Sequence, residues 1–155
     1  MKARPGRWFL FVLLLASLAS LAACDKPLTV EQRVIATIRD MEARIEAGER
    51  RAFMAHVAED FTGQREVMTR DQVNAMVLFQ LNRHKRLQAQ LFPIRVTETG
   101  PDSASATFRA LITGGPNWIP ENGKVVDFDT RWTLVDDEWM LRSANWTPVA
   151  LDEVP

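Results

Sequence analysis

The feature that most constrains the fold is a stretch near the C-terminus, residues 124–135, in which apolar and polar side chains alternate. One face of this stretch carries Val126, Phe128, Thr130, Trp132 and Leu134, and the other carries Val125, Asp127, Asp129, Arg131 and Thr133. A period of two is that of a β-strand, and a strand with one apolar face covers a core on that side and meets water on the other. A turn at Asp136 and Asp137 leads into a second predicted strand over 138–146. The sequence therefore predicts a sheet with one buried face.

Three helices are predicted ahead of the sheet. Their expected ranges are about 30–47, 49–59 and 70–84. The first and the third begin with the Thr-x-x-Gln spacing of a capping box, at 29–32 and 69–72. The first carries an apolar stripe at helical spacing and stops at Gly48, a residue that commonly ends helices.

Four long strands are predicted after the helices. Their expected ranges are about 87–96, which Pro93 interrupts, 104–112, 124–135 and 138–146. Because the helices and the strands are segregated along the chain, the order indicates an α+β fold.

Three segments in this order carry a family resemblance: Ala-Glu-Asp-Phe-Thr-Gly at 58–63, Thr-Arg-Asp-Gln at 69–72 and Asp-Glu-Trp-Met-Leu-Arg at 137–142. With them, the chain resembles the nuclear transport factor 2-like (SnoaL-like) superfamily. The resemblance implies a cone-like curved antiparallel sheet packed against three N-terminal helices, over about 29–150, often with an internal pocket and often as a homodimer. Its members include isomerases, dehydratases, epoxide hydrolases and non-catalytic binding modules, so the fold alone does not decide the function.

The first 24 residues predict export. Lys2, Arg4 and Arg7 precede an apolar run over 8–15, and small residues lead to Cys24, the single cysteine of the chain. This arrangement is that of a secretory signal, and the apolar run is short for a membrane span.

The tetrapeptide Leu-Ala-Ala-Cys that ends at Cys24 resembles the lipobox of bacterial lipoproteins. The resemblance implies that residues 1–23 are a signal peptide and that acylated Cys24 anchors the protein in the lipid bilayer, where each buried methylene contributes roughly 0.8 kcal/mol. Residues 24–28 would then be a short linker and 151–155 a C-terminal tail. Asp25 favours the periplasmic face of the inner membrane and leaves the outer membrane open.

Charge and residue types exclude some functions. Residues 1–23 hold three of the 19 basic residues and none of the 20 acidic ones, so the remaining 132 residues would carry a net charge of about −4. A mildly acidic domain without a basic patch predicts no nucleic-acid partner. No cofactor is indicated, and two histidines on separate elements, without a carboxylate at ligand spacing, predict no metal site.

Catalytic candidates are few. The chain contains no tyrosine, so the tyrosine-dependent sites of the ketosteroid isomerases and scytalone dehydratases in the resembled superfamily cannot be carried over. His84 falls on the apolar stripe of the third helix and inside a cone could act as a general base; alternatively it ends the helix and contacts its last carbonyls. Asp127, Asp129 and Arg131 share a strand face, and inside a cone they would resemble the carboxylate–arginine sets of epoxide hydrolases. The alternative is a solvated face, because burying three charges is costly.

Trp118 and Ile119 are predicted at the tip of a loop over 114–123. They are candidates for a lid, for a contact with a partner or the membrane, or for side chains that fold back on the sheet. Trp139, together with His84, is a further candidate for ligand contact, as a core or pocket-wall residue.

The reading that the sequence favours is a membrane-anchored periplasmic lipoprotein whose domain binds a small apolar ligand or acts as an accessory module for an envelope protein. Two alternatives stay open. One is a cofactor-independent lyase, isomerase or hydrolase that uses the cone pocket. The other is an inhibitor or immunity-type lipoprotein that binds a protein.

Overall fold

The computed structural model of the chain describes residues 27–84, 87–114 and 122–149. It contains helices α1 (Val30–Glu46), α2 (Arg50–Ala55) and α3 (Arg70–Arg83). The strands are β1 (Val57–Gly63), β2 (Met68–Thr69), β3 (Leu87–Leu91), β4 (Arg95–Gly100), β5 (Ser103–Gly114), β6 (Asn122–Val135) and β7 (Glu138–Val149). The predicted signal peptide, Cys24, Asp25, Trp118, Ile119 and the tail over 151–155 lie outside the described residues. Within those residues, no helix has both the length and the apolar character of a membrane span.

Three helices pack on a curved, open, seven-stranded sheet, which confirms the predicted α+β fold class. The strand order is β2-β1-β7-β6-β5-β3, and β4 also pairs with β5. The pairs are antiparallel except that of β1 with β7, which is parallel and makes the sheet mixed. The sequence had predicted an antiparallel sheet, so this pair corrects it.

The second helix is shorter than predicted because its expected C-terminal part is strand β1. α2 ends at Ala55, and the carbonyl of His56 accepts a hydrogen bond from the Leu141 amide of β7 at 2.8 Å. The edge of β7 thus offers partners for the backbone, and tertiary pairing overrides a weak local preference for helix. Asp60, which directly follows the predicted range of this helix, is an exposed residue of β1 whose carboxylate lies 3.1 Å from the Arg142 guanidinium.

Both predicted capping boxes are present. The Thr29 hydroxyl accepts from the Gln32 amide at 3.2 Å, and the Gln32 side chain accepts from the Thr29 amide at 3.0 Å. The same reciprocal bonds join Thr69 and Gln72, at 3.4 and 2.8 Å. These bonds satisfy amides that have no partner within the helix, and they fix where α1 and α3 begin.

The core lies between the helices and one face of the sheet, called here the inner face. α1 contributes its buried residues Val34, Ile38 and Met41. The sheet contributes Ala104, Ala106, Trp132, Trp139, Leu141 and Ala144. Successive side chains of a strand alternate between faces, so the odd-numbered polar residues of β6 lie on the opposite, outer face.

One buried polar side chain links two strands through the core. The Thr130 hydroxyl donates to the Ala106 carbonyl at 2.7 Å and accepts from the Trp132 indole N–H at 2.9 Å. Thr130 is only 2% exposed. Burying a polar group without a hydrogen bond costs folding free energy, and here the Thr130 hydroxyl provides a partner for both the Ala106 carbonyl and the Trp132 indole.

We predict that Thr130→Val lowers the free energy of unfolding by about 1–3 kcal/mol, since the indole N–H and the Ala106 carbonyl would each lose a buried partner. Urea denaturation measures the change. Thr133→Val, on the outer face of the same strand, is the matched control and should shift stability by less than about 0.5 kcal/mol. If burial of apolar surface dominated instead, Thr130→Val would be more stable than the wild type.

Candidate functional site

A row of aromatic side chains lies across the inner face. Phe108 is opposite Phe128 in the β5–β6 pair, and Phe128 is opposite Trp146 in the β6–β7 pair. The Phe108 and Phe128 rings are stacked, with centroids 5.1 Å apart and planes 14° apart. All three residues are only half-buried, although they share the face that the helices cover elsewhere. This aromatic row is therefore an apolar surface that the core does not fully enclose.

Further apolar side chains continue the inner face along β5. Ala110 is buried and Ile112 half-buried, and both alternate in register with Phe108. From α3, Met76 and Leu81 are half-buried and pack against the core. The inner-face wall from the aromatic row to Ile112 is thus predominantly apolar, as small-ligand sites usually are, with the exposed Lys124 opposite Ile112 as its charged residue.

His84 lies at one end of this wall. Its backbone amide donates to the Gln80 carbonyl at 3.0 Å, which closes the last turn of α3. Its ring lies against Gly114, the next inner-face position after Ile112: a Cβ at Gly114 would come within 2.8 Å of His84 Nδ1. The half-buried imidazole therefore lies against the sheet, in space that only a glycine leaves free. His84 follows the last residue of α3 in an extended conformation, so helical spacing does not set the direction of its ring.

The imidazole of His84 is some distance from the aromatic row. Gly114 follows Phe108 by six positions along β5, which is roughly 20 Å. Among the described residues, the His84 ring has no hydrogen-bond or ion-pair partner. Its proposed role as a base stays a prediction. The other histidine, His56, is bonded to Asp40 of α1 at 2.7 Å.

Trp139 lies in the core near the β6–β7 turn, opposite Leu134. It is 3% exposed and packs with Trp132 and Leu141. Its buried indole N–H has no hydrogen-bond partner within the described part of the chain. The aromatic row and Trp139 therefore occupy different parts of the inner face.

The three charged candidates of β6 lie on the outer face. Asp127 accepts two hydrogen bonds from the Arg109 guanidinium of β5, at 2.6 and 2.9 Å. Asp129 and Arg131 are exposed. The structure therefore does not bring these side chains together with His84, from which the sheet separates them. The carboxylate–arginine set that they would have formed inside the cone does not occur there.

A cavity of about 200 Å³ opens on the outer face, beside the β1–β2 hairpin. It is lined by Thr62, Arg65, Glu66, Arg131, Ser143 and Asn145. Of these, sequence reasoning identified only Arg131. Strand alternation from the inward Trp139 and Leu141 would place Ser143 and Asn145 on the inner face, and the irregularity at Arg142 in the β6–β7 pair moves them to the outer face. No pattern in the sequence brings the hairpin next to them.

The hairpin has an unusual backbone. Gln64, Arg65 and Glu66 have φ values of 50°, 58° and 70°, three consecutive left-handed residues without a glycine. Such a conformation costs roughly 1–2 kcal/mol per residue. Contacts to β7 offset it, because the Gln64 amide donates to the Ala144 carbonyl at 3.0 Å and the Arg65 amide to Asn145 Oδ1 at 2.7 Å.

The pairing of Arg109 with Asp127 generates a pH prediction. Hydrogen bonds from the guanidinium hold the pKa of the Asp127 carboxyl below its usual value of 3.8. The stabilisation from this pair is therefore fully present above about pH 3.8 and is lost as pH falls through the lower folded-state pKa.

We expect the gap in unfolding free energy between the wild type and Asp127→Asn to be largest near neutral pH and to close in acid. Denaturant titrations at a series of pH values measure it. Arg109→Gln removes the other partner and should lose the same acid-sensitive component. A gap that stays constant down to the acid limit would contradict the pairing.

Several solved structures are similar in fold. A candidate scytalone dehydratase from Novosphingobium aromaticivorans gives a TM-score of 0.68 over 77% of this chain and 84% of its own, at 10% identity. A candidate dehydratase of the NTF2-like family from Streptomyces avermitilis gives 0.66 over 76% and 94%, at 19% identity. An NTF2-like protein of unknown function in nutrient uptake from Rhodospirillum rubrum gives 0.60 over 76% and 98%, at 16% identity.

No protein-family model and no curated protein sequence matches the chain. The likeness to the solved structures is thus carried by the arrangement of helices and strands, at identities too low to transfer an activity. The chain has the cone-shaped fold of the NTF2-like structures.

Proposed function

We propose that this chain is a membrane-anchored periplasmic lipoprotein whose NTF2-like domain binds a small apolar ligand on the inner face of its sheet. The observation that carries the ligand site is the aromatic row of Phe108, Phe128 and Trp146, which is half-buried on the face that otherwise forms the core. The lipid anchor is supported by the sequence that ends at Cys24.

Apolar surface that remains in contact with water is a source of binding free energy. Covering it contributes roughly 25 cal/mol per Å², and aromatic rings present large, rigid areas. The stacked rings of Phe108 and Phe128 present one such area, and Ile112 extends it toward His84. A ligand that lies along this wall would be held by shape and apolar burial, with the imidazole as one polar group at the end.

An enzyme is the second candidate, favoured by the position of His84 on the inner face. A cofactor-independent lyase, isomerase or hydrolase would need a carboxylate or another acid opposite this imidazole. The described residues place no acidic group in contact with it, and Asp127 and Asp129 lie across the sheet. Ligand binding therefore has the stronger support. An accessory role at an envelope protein is compatible with the same anchored domain.

We predict that residues 26–155, purified from a bacterial host, carry a co-purified small molecule. Native mass spectrometry, compared with the denatured sample, would show it as a mass difference. Ile112→Trp places bulk on the inner face between the aromatic row and His84 and should remove the adduct.

The matched control is Leu111→Trp, on the outer face of the same strand, which should retain the adduct. A bare polypeptide in the wild type, under conditions that preserve the fold, would argue against a ligand-binding cone and shift the weight to a protein partner.

The lipid anchor has a separate test. Cells that produce the full chain and are fed labelled palmitate should label the wild type and not Cys24→Ser, because the thiol is the acylation site. Asp25→Ser tests the membrane assignment and should move the protein from the inner to the outer membrane fraction. An unlabelled wild-type protein lacking residues 1–23 would indicate an ordinary signal peptide.

A further inference from the structure

The outer-face cavity gathers hydrogen-bond donors from three strands and a turn. Thr62 of β1 and Arg131 of β6 both lie directly opposite Ser143 of β7, so the three side chains form a row across the sheet. Asn145 occupies the next outer-face position of β7, and Arg65 reaches the cavity from the hairpin. The row and the hairpin together bring two guanidinium groups and two hydroxyls to one small space.

Asn145 adds a further donor. Its Oδ1 accepts the Arg65 backbone amide at 2.7 Å, which orients the side chain. Because the oxygen is engaged, the amide nitrogen, which has no hydrogen-bond partner among the described residues, is the group that can donate to a ligand in the cavity. The left-handed hairpin holds Arg65 in place through this bond and through the bond between the Gln64 amide and the Ala144 carbonyl.

Among the residues that line the cavity, two arginines and one carboxylate, Glu66, leave one excess positive charge. Asp129 is opposite Asn145 in the β6–β7 pair but is not part of the lining. In the described ranges neither Arg65 nor Arg131 forms an ion pair, whereas Arg109 on the same face is paired with Asp127. Arginine forks that lack a protein partner are well suited to bind oxyanions.

We propose that this cavity binds a phosphate group that carries a single negative charge. A planar carboxylate offers two oxygens, whereas a tetrahedral phosphate offers acceptors in several directions, matching donors that arrive from β1, β6, β7 and the hairpin. The single charge follows from Glu66, which disfavours a dianion. This site is independent of the proposed inner-face ligand, because the sheet lies between them.

Two sources supply such a group: a free phosphate, or the phosphodiester of a lipid headgroup. The side chain of Val67, next to Glu66 at the hairpin, is 76% exposed, so the site has an apolar neighbour. The sources differ in what surrounds the phosphorus atom, and soluble probes can represent each of them.

The test uses the full chain, purified in a maltoside detergent that contains no phosphate. Titration calorimetry with inorganic phosphate represents the free anion, and glycerophosphoglycerol represents the lipid headgroup. We expect saturable binding of at least one probe, with one molecule per chain. Binding of the diester alone assigns a lipid source, binding of inorganic phosphate alone assigns a free anion, and binding of both supports the shared chemistry.

Three variants test whether the probe binds at this cavity and not elsewhere on the protein. Arg65→Gln and Arg131→Gln should each weaken binding roughly tenfold or more, because each removes a charged hydrogen-bond donor. Glu66→Gln should strengthen binding, since it removes the one negative charge. The matched control is Arg95→Gln, an exposed arginine on the outer face of β4 that does not line the cavity, and it should bind as the wild type does.

Thermal unfolding of every variant checks that the fold is kept. The proposal is overturned if neither probe binds at millimolar concentration, if binding survives loss of both arginines, or if Arg95→Gln weakens it as much as they do.

Discussion

The pairing of β6 with both of its neighbours is the constraint on which the rest of the structure depends. β6 is antiparallel to β5 from Thr133 to Asn122, and on its other side it pairs with β7 over nearly the same length. With both edges occupied, its alternation fixes which side chains face the helices and which face outward. A shift by one residue would exchange Trp132 with Arg131 and place a guanidinium in the core, at a cost of several kcal/mol.

The strands at the periphery depend on specific hydrogen bonds. At one side, Glu42 and Glu46 of α1 accept the backbone amides of Leu91 and Ala89, at 3.3 and 2.9 Å, so the free edge of β3 is covered by a helix. At the other side, β1 joins β7 in parallel, and the Gln64 side chain donates to the Trp146 carbonyl at 3.0 Å where the pairing ends. Because the backbone groups at both edges of the sheet have these partners, the curved sheet stays open without a long row of unpaired backbone amides and carbonyls.

Two faces of one sheet therefore carry different chemistry. On the inner face the side chains are fully buried around Trp132 and half-buried at the aromatic row, and His84 lies further along the same face. On the outer face Arg109 and Asp127 form an ion pair, whereas Arg65 and Arg131 beside the hairpin form none with the residues that the structure describes. Because strand residues alternate, neighbours in sequence such as Phe128 and Asp129 serve opposite faces and cannot act in one site.

The sequence by itself determined features that depend on contacts within a few residues. The alternation of β6 placed Trp132 in the core and Arg131 outside it, and the Thr-x-x-Gln pairs fixed where α1 and α3 begin. Only the tertiary structure made residues 57–63 a strand, because that choice depends on the free edge of β7, which is distant in sequence. The tertiary structure also forms the outer cavity, because its lining residues, which span 62–145, meet only through strand pairing and the left-handed turn. That turn contains no glycine, so the sequence does not predict it. Local sequence patterns therefore determine which side chains share a strand face and where a helix begins. Pairing between segments distant in sequence determines which strands become neighbours and which side chains meet.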